Sequence, residues 1–243
     1  MKKLFYLLSL LLATLLVSCS SADTDNKDAD DANEPLSLDR SNSSNGHAYV
    51  DLGLSVKWAT CNVGANTPEE YGDYFAWGET EPKSEYYWRT YKWRKEAYSY
   101  LTKYCTDSSY GTVDNKTVLD LADDAANANW GGNWRMPTIE ELQELVNNCT
   151  WIWTTQNGVN GCLVTSKKNG NSIFLPVAGL HKFGALGLGL YSEDSDGHYW
   201  SSSLVTDRPE HARYLYFYRY GVDWWNYYHS SRYDGLSVRP VLP

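Results

Sequence analysis

Five histidines (His47, His181, His198, His211 and His229) are the first residues to test for metal or acid–base chemistry. No two of them stand at zinc-ligand spacing, and none lies beside a candidate nucleophile, so each reads as a surface or hydrogen-bonded side chain. Glu140, Glu141 and Glu144 are close enough in sequence to suggest paired carboxylates. On the first turns of a helix they more simply complete a cap and favour the helix dipole. Ser201, Ser202 and Ser203 lack the glycine elbow of a nucleophilic serine and fit a strand better. Cys61, Cys105, Cys149 and Cys162 permit two disulfides in three connectivities, but buried free thiols fit the chain as well, and no pair has the close spacing of a redox or metal site. The expectation is a protein that is not an enzyme and has no metal or cofactor.

Recognition chemistry is better represented. The chain holds 20 Tyr and 11 Trp, and aromatic residues make up 15% of it. These side chains join a large apolar area to a polar tip, so they serve cores and binding surfaces alike. In Arg213-Tyr214-Leu215-Tyr216-Phe217-Tyr218-Arg219-Tyr220, strand alternation sends Leu215 and Phe217 to one face and the four tyrosines to the other. Tyrosine gives rigid contact area at low entropy cost, which suits a binding face. The competing reading is a cross-strand aromatic ladder that only packs. With a net charge of −9, nothing in the chain attracts nucleic acid.

The elements that must hold these residues are mostly short. Tyr49 to Thr60 reads as two strands joined by a turn at Gly53. From Pro68 to Tyr104 the chain is rich in Trp and Tyr, has no sustained period, and reads as a long irregular region. Asn115 to Ala128 carries good helix formers, and Thr138 with Glu141 forms a capping box for a helix whose Ile139, Leu142, Leu145 and Val146 share one face. Further strands are expected at 162–165, 172–175, 199–202, 213–220 and 235–240. The sum is an α+β domain over residues 47–243.

Ahead of that domain, Lys2 and Lys3 followed by an apolar run from Leu4 to Val17 read as a secretion signal spanning residues 1–19. Its end, Leu16-Val17-Ser18-Cys19, resembles the bacterial lipobox, which implies Cys19 as the lipidated mature N-terminus and outer-membrane lipid as a partner. Residues 20–46 carry Asp23, Asp25, Asp28, Asp30, Asp31, Glu34 and Asp39 against Lys27 and Arg40, with hardly any large apolar side chain. Such a segment reads as a disordered acidic tether. An acidic stretch behind the lipidated cysteine also resembles the surface-export signal of Bacteroidetes lipoproteins.

Four blocks in order carry a further resemblance: Asp51 to Ala59, Asn133 to Thr138, Tyr199 to Ser203, and Ser237 to Val241. Together they resemble the Fibrobacter succinogenes major paralogous domain family, which is similar to the C-type lectin fold. This implies two helices, short antiparallel strands and long irregular loops. The arrangement also resembles the variable proteins of diversity-generating retroelements, in which residues of the last coding stretch are rewritten on a fixed scaffold. That resemblance, with the strand alternation, nominates a ligand site of Asp207, Arg208, His211, Arg213, Tyr214, Tyr216, Tyr218, Tyr220, Asp223, Trp225, Tyr227, Tyr228, His229, Tyr233 and Asp234. Scaffold positions Ala212, Leu215 and Phe217 stand among them. Formylglycine-generating enzymes are similar too, but their late cysteine pair has no counterpart here, since no cysteine follows Cys162. The calcium triplets of sugar-binding lectins are likewise unmatched by Glu81-Pro82-Lys83 and Asp223-Trp224-Trp225-Asn226. Two functions remain: a surface-displayed module that binds a protein or glycan, and a structural envelope protein. A glycan-active enzyme ranks third.

Overall fold

The computed structural model describes residues 42–95, 100–184, 187–222 and 229–243. The chain divides into two units, Met1–Ser37 and Leu38–Pro243, and the described residues belong to the second. The signal, Cys19 and most of the tether therefore lie outside the described residues, as do the site candidates Asp223, Trp225, Tyr227 and Tyr228. No helix among the described residues is long and apolar enough to cross a membrane.

The described residues begin inside the segment expected to be tether. Strand β1 (Ser43–Ser44) pairs with β2 (His47–Val50) through Asn45-Gly46, whose φ values of 49° and 84° are those of a type I′ turn. Two long-range hydrogen bonds hold this hairpin, from Asn45 to the Trp130 carbonyl and from the Trp134 indole to the Ser44 carbonyl. Composition alone marks residues 42–46 as soluble linker; tertiary partners order them. The expected hairpin over 49–60 forms as β2 with β3 (Lys57–Ala59).

Beyond β4 (Tyr74–Phe75), the irregular region carries a turn of 3₁₀ helix at Trp88–Thr90 and a small pair, β5 (Arg94–Lys95) with β6 (Tyr100–Leu101). Its order comes from an aromatic cluster of Tyr86, Tyr91 and Leu101, with Trp88 and Tyr233 packed against it. The helix expected over 115–128 is corrected. Residues 115–120 are irregular, with Asn115 at a φ of 54°, Val118 bridging Ser203 and the Leu119 amide bonded to the Ser202 carbonyl, and α1 spans only Ala125–Trp130. Asp124 is its cap, accepting from Ala126 and Asn127, and it also accepts the Met136 amide at 2.8 Å. Burial of Leu119 against the sheet outweighs helix propensity there. In contrast, α2 (Ile139–Asn148) starts at the expected capping box, reinforced by Arg135 gripping Glu141 with two nitrogens.

The remainder is strand. A meander of β7 (Cys149–Gln156), β8 (Val159–Ser166) and β9 (Ser172–Pro176) turns first at Asn157-Gly158, again with both φ values positive. A separate hairpin, β10 (Leu180–Gly184) with β11 (Gly187–Tyr191), follows. Then come β12 (Asp196–Leu204), β13 (His211–Tyr218), β14 (Gly221–Val222), β15 (His229–Ser231), β16 (Leu236–Ser237) and β17 (Val241–Leu242). The main sheet runs β14-β13-β12-β16-β4, with β15 also on β13, and a second sheet runs β1-β2-β3-β17. Of the strand expected over 235–240 only Leu236–Ser237 forms, because Val238 to Pro240 carry the chain across to β17 in the second sheet.

Each face of the β12–β13 pair contributes to a core cluster. Trp200, Leu204 and Ala212 enter one core cluster with Trp77, Trp134 and Met136. Tyr199, Leu215 and Phe217 enter another with Trp58, Leu142 and Leu145 from α2. The four cysteines among the described residues, Cys61, Cys105, Cys149 and Cys162, are buried free thiols, so of the two expectations for them the thiols hold. Burial pushes Cys149 up to about 11 and Cys162 up to about 12, so both stay protonated and inert.

A candidate ligand-binding face on the central sheet

The nominated residues do not make one site, because strand alternation divides them. His211 and Arg213 share their face of β13 with Leu215 and Phe217, whereas Tyr214, Tyr216 and Tyr218 share theirs with Ala212. His229 pairs with Arg213 across β15, so it joins the first group. There the His211 and His229 rings meet at 4.5 Å, and the His211 Nδ1 stands 3.4 Å from Glu210. Burial lowers the pKa of both histidines, and Arg208 adds to the lowering at each. Their wide separation in sequence conceals this contact. No cluster of three or more metal-ligating side chains occurs among the described residues. Asp207 and Arg208 lie exposed in the β12–β13 loop.

The tyrosines of the second group form a ladder in which Tyr214, Tyr216 and Tyr218 are half-buried and Tyr220 beyond them is exposed. Tyr214 sits edge-on to buried Trp200 at 6.1 Å and packs against the first core cluster. Tyr216 stacks on Tyr218 at 5.6 Å, and Tyr218 meets Tyr220 at 6.1 Å. The ladder ends in solvent, with Tyr220 83% exposed. Two sequence expectations are corrected here. Tyr220 stands in the turn after β13 rather than on the strand, and the tyrosine face is core at its inner end rather than open throughout.

Two more candidates are not on an open surface. Tyr233 meets the Trp88 ring at 5.5 Å and belongs to the aromatic cluster of the irregular region. Asp234 is buried, takes a hydrogen bond from the Ser230 hydroxyl at 2.6 Å, and has its carboxyl pushed up to about 6 by burial. Both were nominated for residue type; the chain crossing from β15 to β16 turns them inward.

Sequence reasoning missed the residue at the centre of the ladder. His198 of β12 stands opposite Tyr216 in register, its ring 5.0 Å from that of Tyr216 and 5.5 Å from that of Tyr214. It is only 6% exposed, and neither ring nitrogen has a hydrogen-bond partner among the described residues. Burial drives its pKa down to about 3, with the Lys182 charge adding to the effect, so the ring is neutral at physiological pH. Lys182, on β10, lies over the Tyr191 ring at 5.1 Å, and its neighbour Phe183 is 63% exposed. The alternation of β12 was legible, but the pairing of His198 with Tyr216 required the register.

Together these features define an α+β domain that presents a half-buried tyrosine ladder, open at Tyr220, with buried His198 packed against its rings. Comparison with protein-family models, curated proteins and solved structures returns no match for the chain.

Proposed function

We propose that the chain is a surface-anchored lipoprotein whose C-terminal domain, of C-type lectin-like fold, binds a protein or glycan ligand through the tyrosine face and catalyses no reaction. The observation that carries this reading is the tyrosine ladder, half-buried along β13 and open to solvent at Tyr220. A ladder used only for packing is covered along its length, whereas this one runs from Tyr214 on the core to Tyr220 in solvent. Exposed Phe183 adds a further aromatic side chain for contact. The fold assignment draws on the four blocks of residues, whose Trp58, Trp134, Met136, Trp200, Val238 and Val241 are all buried, as scaffold positions should be. One observation favours the structural reading: the inner end of the ladder, Tyr214, is packed against the core.

Tyr218→Ala separates the two. Arrays of purified glycans and extracellular proteins probed with the native chain should show spots that weaken about thirtyfold or more in the variant, the effect of losing a hot-spot aromatic. Its melting temperature should stay near the native value. A melting loss like that of a core substitution, with binding intact, would assign the tyrosines to packing. The anchor is tested apart from the ligand. Cys19→Ala should abolish palmitate labelling and move the protein from the membrane to the soluble fraction, and persistent labelling would refute lipidation at that residue.

A further inference from the structure

We propose that His211 and His229 form a two-histidine site for a divalent transition-metal ion of the zinc or copper type, on the face of β13 opposite the tyrosine ladder. Strand register brings the two together. Arg213 pairs with His229 and His211 with Ser231, so both histidines lie on one face of the β13–β15 pair. Their ring centroids are 4.5 Å apart and the rings are turned 72° from one another. Two imidazoles on adjacent positions of one ion, each nitrogen about 2.0–2.1 Å from the metal, have centres roughly 4.5–5 Å apart, and the observed separation falls in that range. The backbone beneath them is fixed. The His211 amide donates to the Arg208 carbonyl at 2.9 Å, and the amide of buried Arg232 donates to the Glu210 carbonyl at 3.1 Å. Side chains carried on paired strands hold a ligating geometry better than side chains on a free loop.

The state of the polar atoms selects the ligand. The Nδ1 atoms of both rings are buried and have no hydrogen-bond partner among the described residues, and Glu210 Oε2 is in the same condition. The other Glu210 oxygen, Oε1, stands 3.4 Å from His211 Nδ1. Three such atoms in one cluster are a standing cost to the fold, which a bound cation removes. His211, His229 and Glu210 are each half-buried as residues, so an ion reaches them from solvent without a channel. Imidazole nitrogen suits zinc and copper, whereas calcium and magnesium require a shell of oxygens. No group of three or more metal-ligating side chains occurs among the described residues, so water completes the coordination and the affinity is modest. The nearby charges offset one another: Arg208 and Arg213 oppose a cation at His229, while Asp207 there and Glu210 at His211 favour one.

The test titrates the untagged full chain in detergent with zinc chloride and copper(II) chloride, and with calcium and magnesium chloride as controls. One zinc or copper ion per chain should bind, copper more tightly than zinc, and both at least about a hundredfold more tightly than calcium or magnesium. His211→Phe and His229→Phe keep a ring at each position and should each weaken binding about tenfold or more. His47→Phe, on β2, should leave it unchanged. In the native chain, copper(II) should broaden the imidazole proton signals of His211 and His229 before those of the other three histidines, a readout that stands even if a variant misfolds. Absence of zinc and copper binding, equal affinity for calcium or magnesium, earlier broadening of another histidine, or indifference to both phenylalanine variants would overturn the proposal. Tyr218→Ala should leave the ion site intact, so failure here and failure of ligand binding at the tyrosine face are separate results.

Discussion

Arg239→Ala is expected to lower the stability of the domain by about 4 kcal/mol, because its guanidinium is the buried joint between two sheets. Arg239 is 1% exposed and has no carboxylate partner among the described ion pairs. Its charge is dispersed over neutral acceptors instead. Nε donates to Asn62 Oδ1 at 2.9 Å, one Nη to the carbonyls of Ala59 and Thr60 at 3.0 and 2.9 Å, and the other Nη to the Phe174 carbonyl at 3.0 Å. Ala59 belongs to β3 and Phe174 to β9, so the side chain ties the terminal sheet to the meander. Two effects compete on removal. Release of a buried charge is favourable, since burial itself works against the charged form of Arg239. Four acceptors then lose their donor, and a cavity the size of the side chain opens. Each unsatisfied acceptor costs about 1–3 kcal/mol, so the loss of donors wins. Thermal unfolding followed by circular dichroism should show a fall of roughly 8–16 °C. Arg239→Lys should recover little, because an ammonium lacks the planar fork that reaches four sites at once. A fall of under about 2 °C in the alanine variant would show that the network contributes nothing net.

Local signals in the sequence carried well where the partner is near in the chain. The Thr138–Glu141 box, the inward Leu215 and Phe217, and the hairpin from Tyr49 to Thr60 all depend on residues a few positions apart, and each is found as expected. The failures share a different cause. Residues 115–120 have helix formers, yet Leu119 is claimed by the sheet through Ser202, which only the tertiary arrangement supplies. Asp234 and Tyr233 look like surface residues until the crossing from β15 to β16 buries the first and half-buries the second. Arg232 and Arg239 carry no local signal in the sequence, yet both are buried and bonded to carbonyls; Arg232 also lies 4.8 Å over the Trp77 ring. The candidate site was legible as a tyrosine stripe, because a period of two is written in one strand. The place of His198 against Tyr214 and Tyr216 was not, because it sits on a different strand and the meeting depends on register.

That register can be tested at the point where it is tightest, between Gly197 and Phe217. The two residues face each other across β12 and β13, and Phe217 is fully buried between Tyr199, stacked at 5.9 Å, and Trp151 at 5.5 Å. Phe217→Ala should therefore cost about 3–5 kcal/mol through the cavity it leaves. Gly197→Ala attacks the same contact from the other side. A Cβ on Gly197 would fall 2.2 Å from the Phe217 ring, far inside van der Waals contact, so the ring must move and the neighbouring stack with it. The cost of such overpacking is about 1–3 kcal/mol. The double variant distinguishes this geometry from two unrelated defects. With the ring gone, the methyl group introduced by Gly197→Ala occupies part of the space that Phe217 filled, and the clash disappears. Gly197→Ala combined with Phe217→Ala should then be no less stable than Phe217→Ala alone, a coupling of at least about 1 kcal/mol between the sites. Denaturant titration of the native chain, the two single variants and the double variant measures it. If the two losses simply add, Gly197 does not sit beneath the ring, and the pairing that places His198 opposite Tyr216 fails with it.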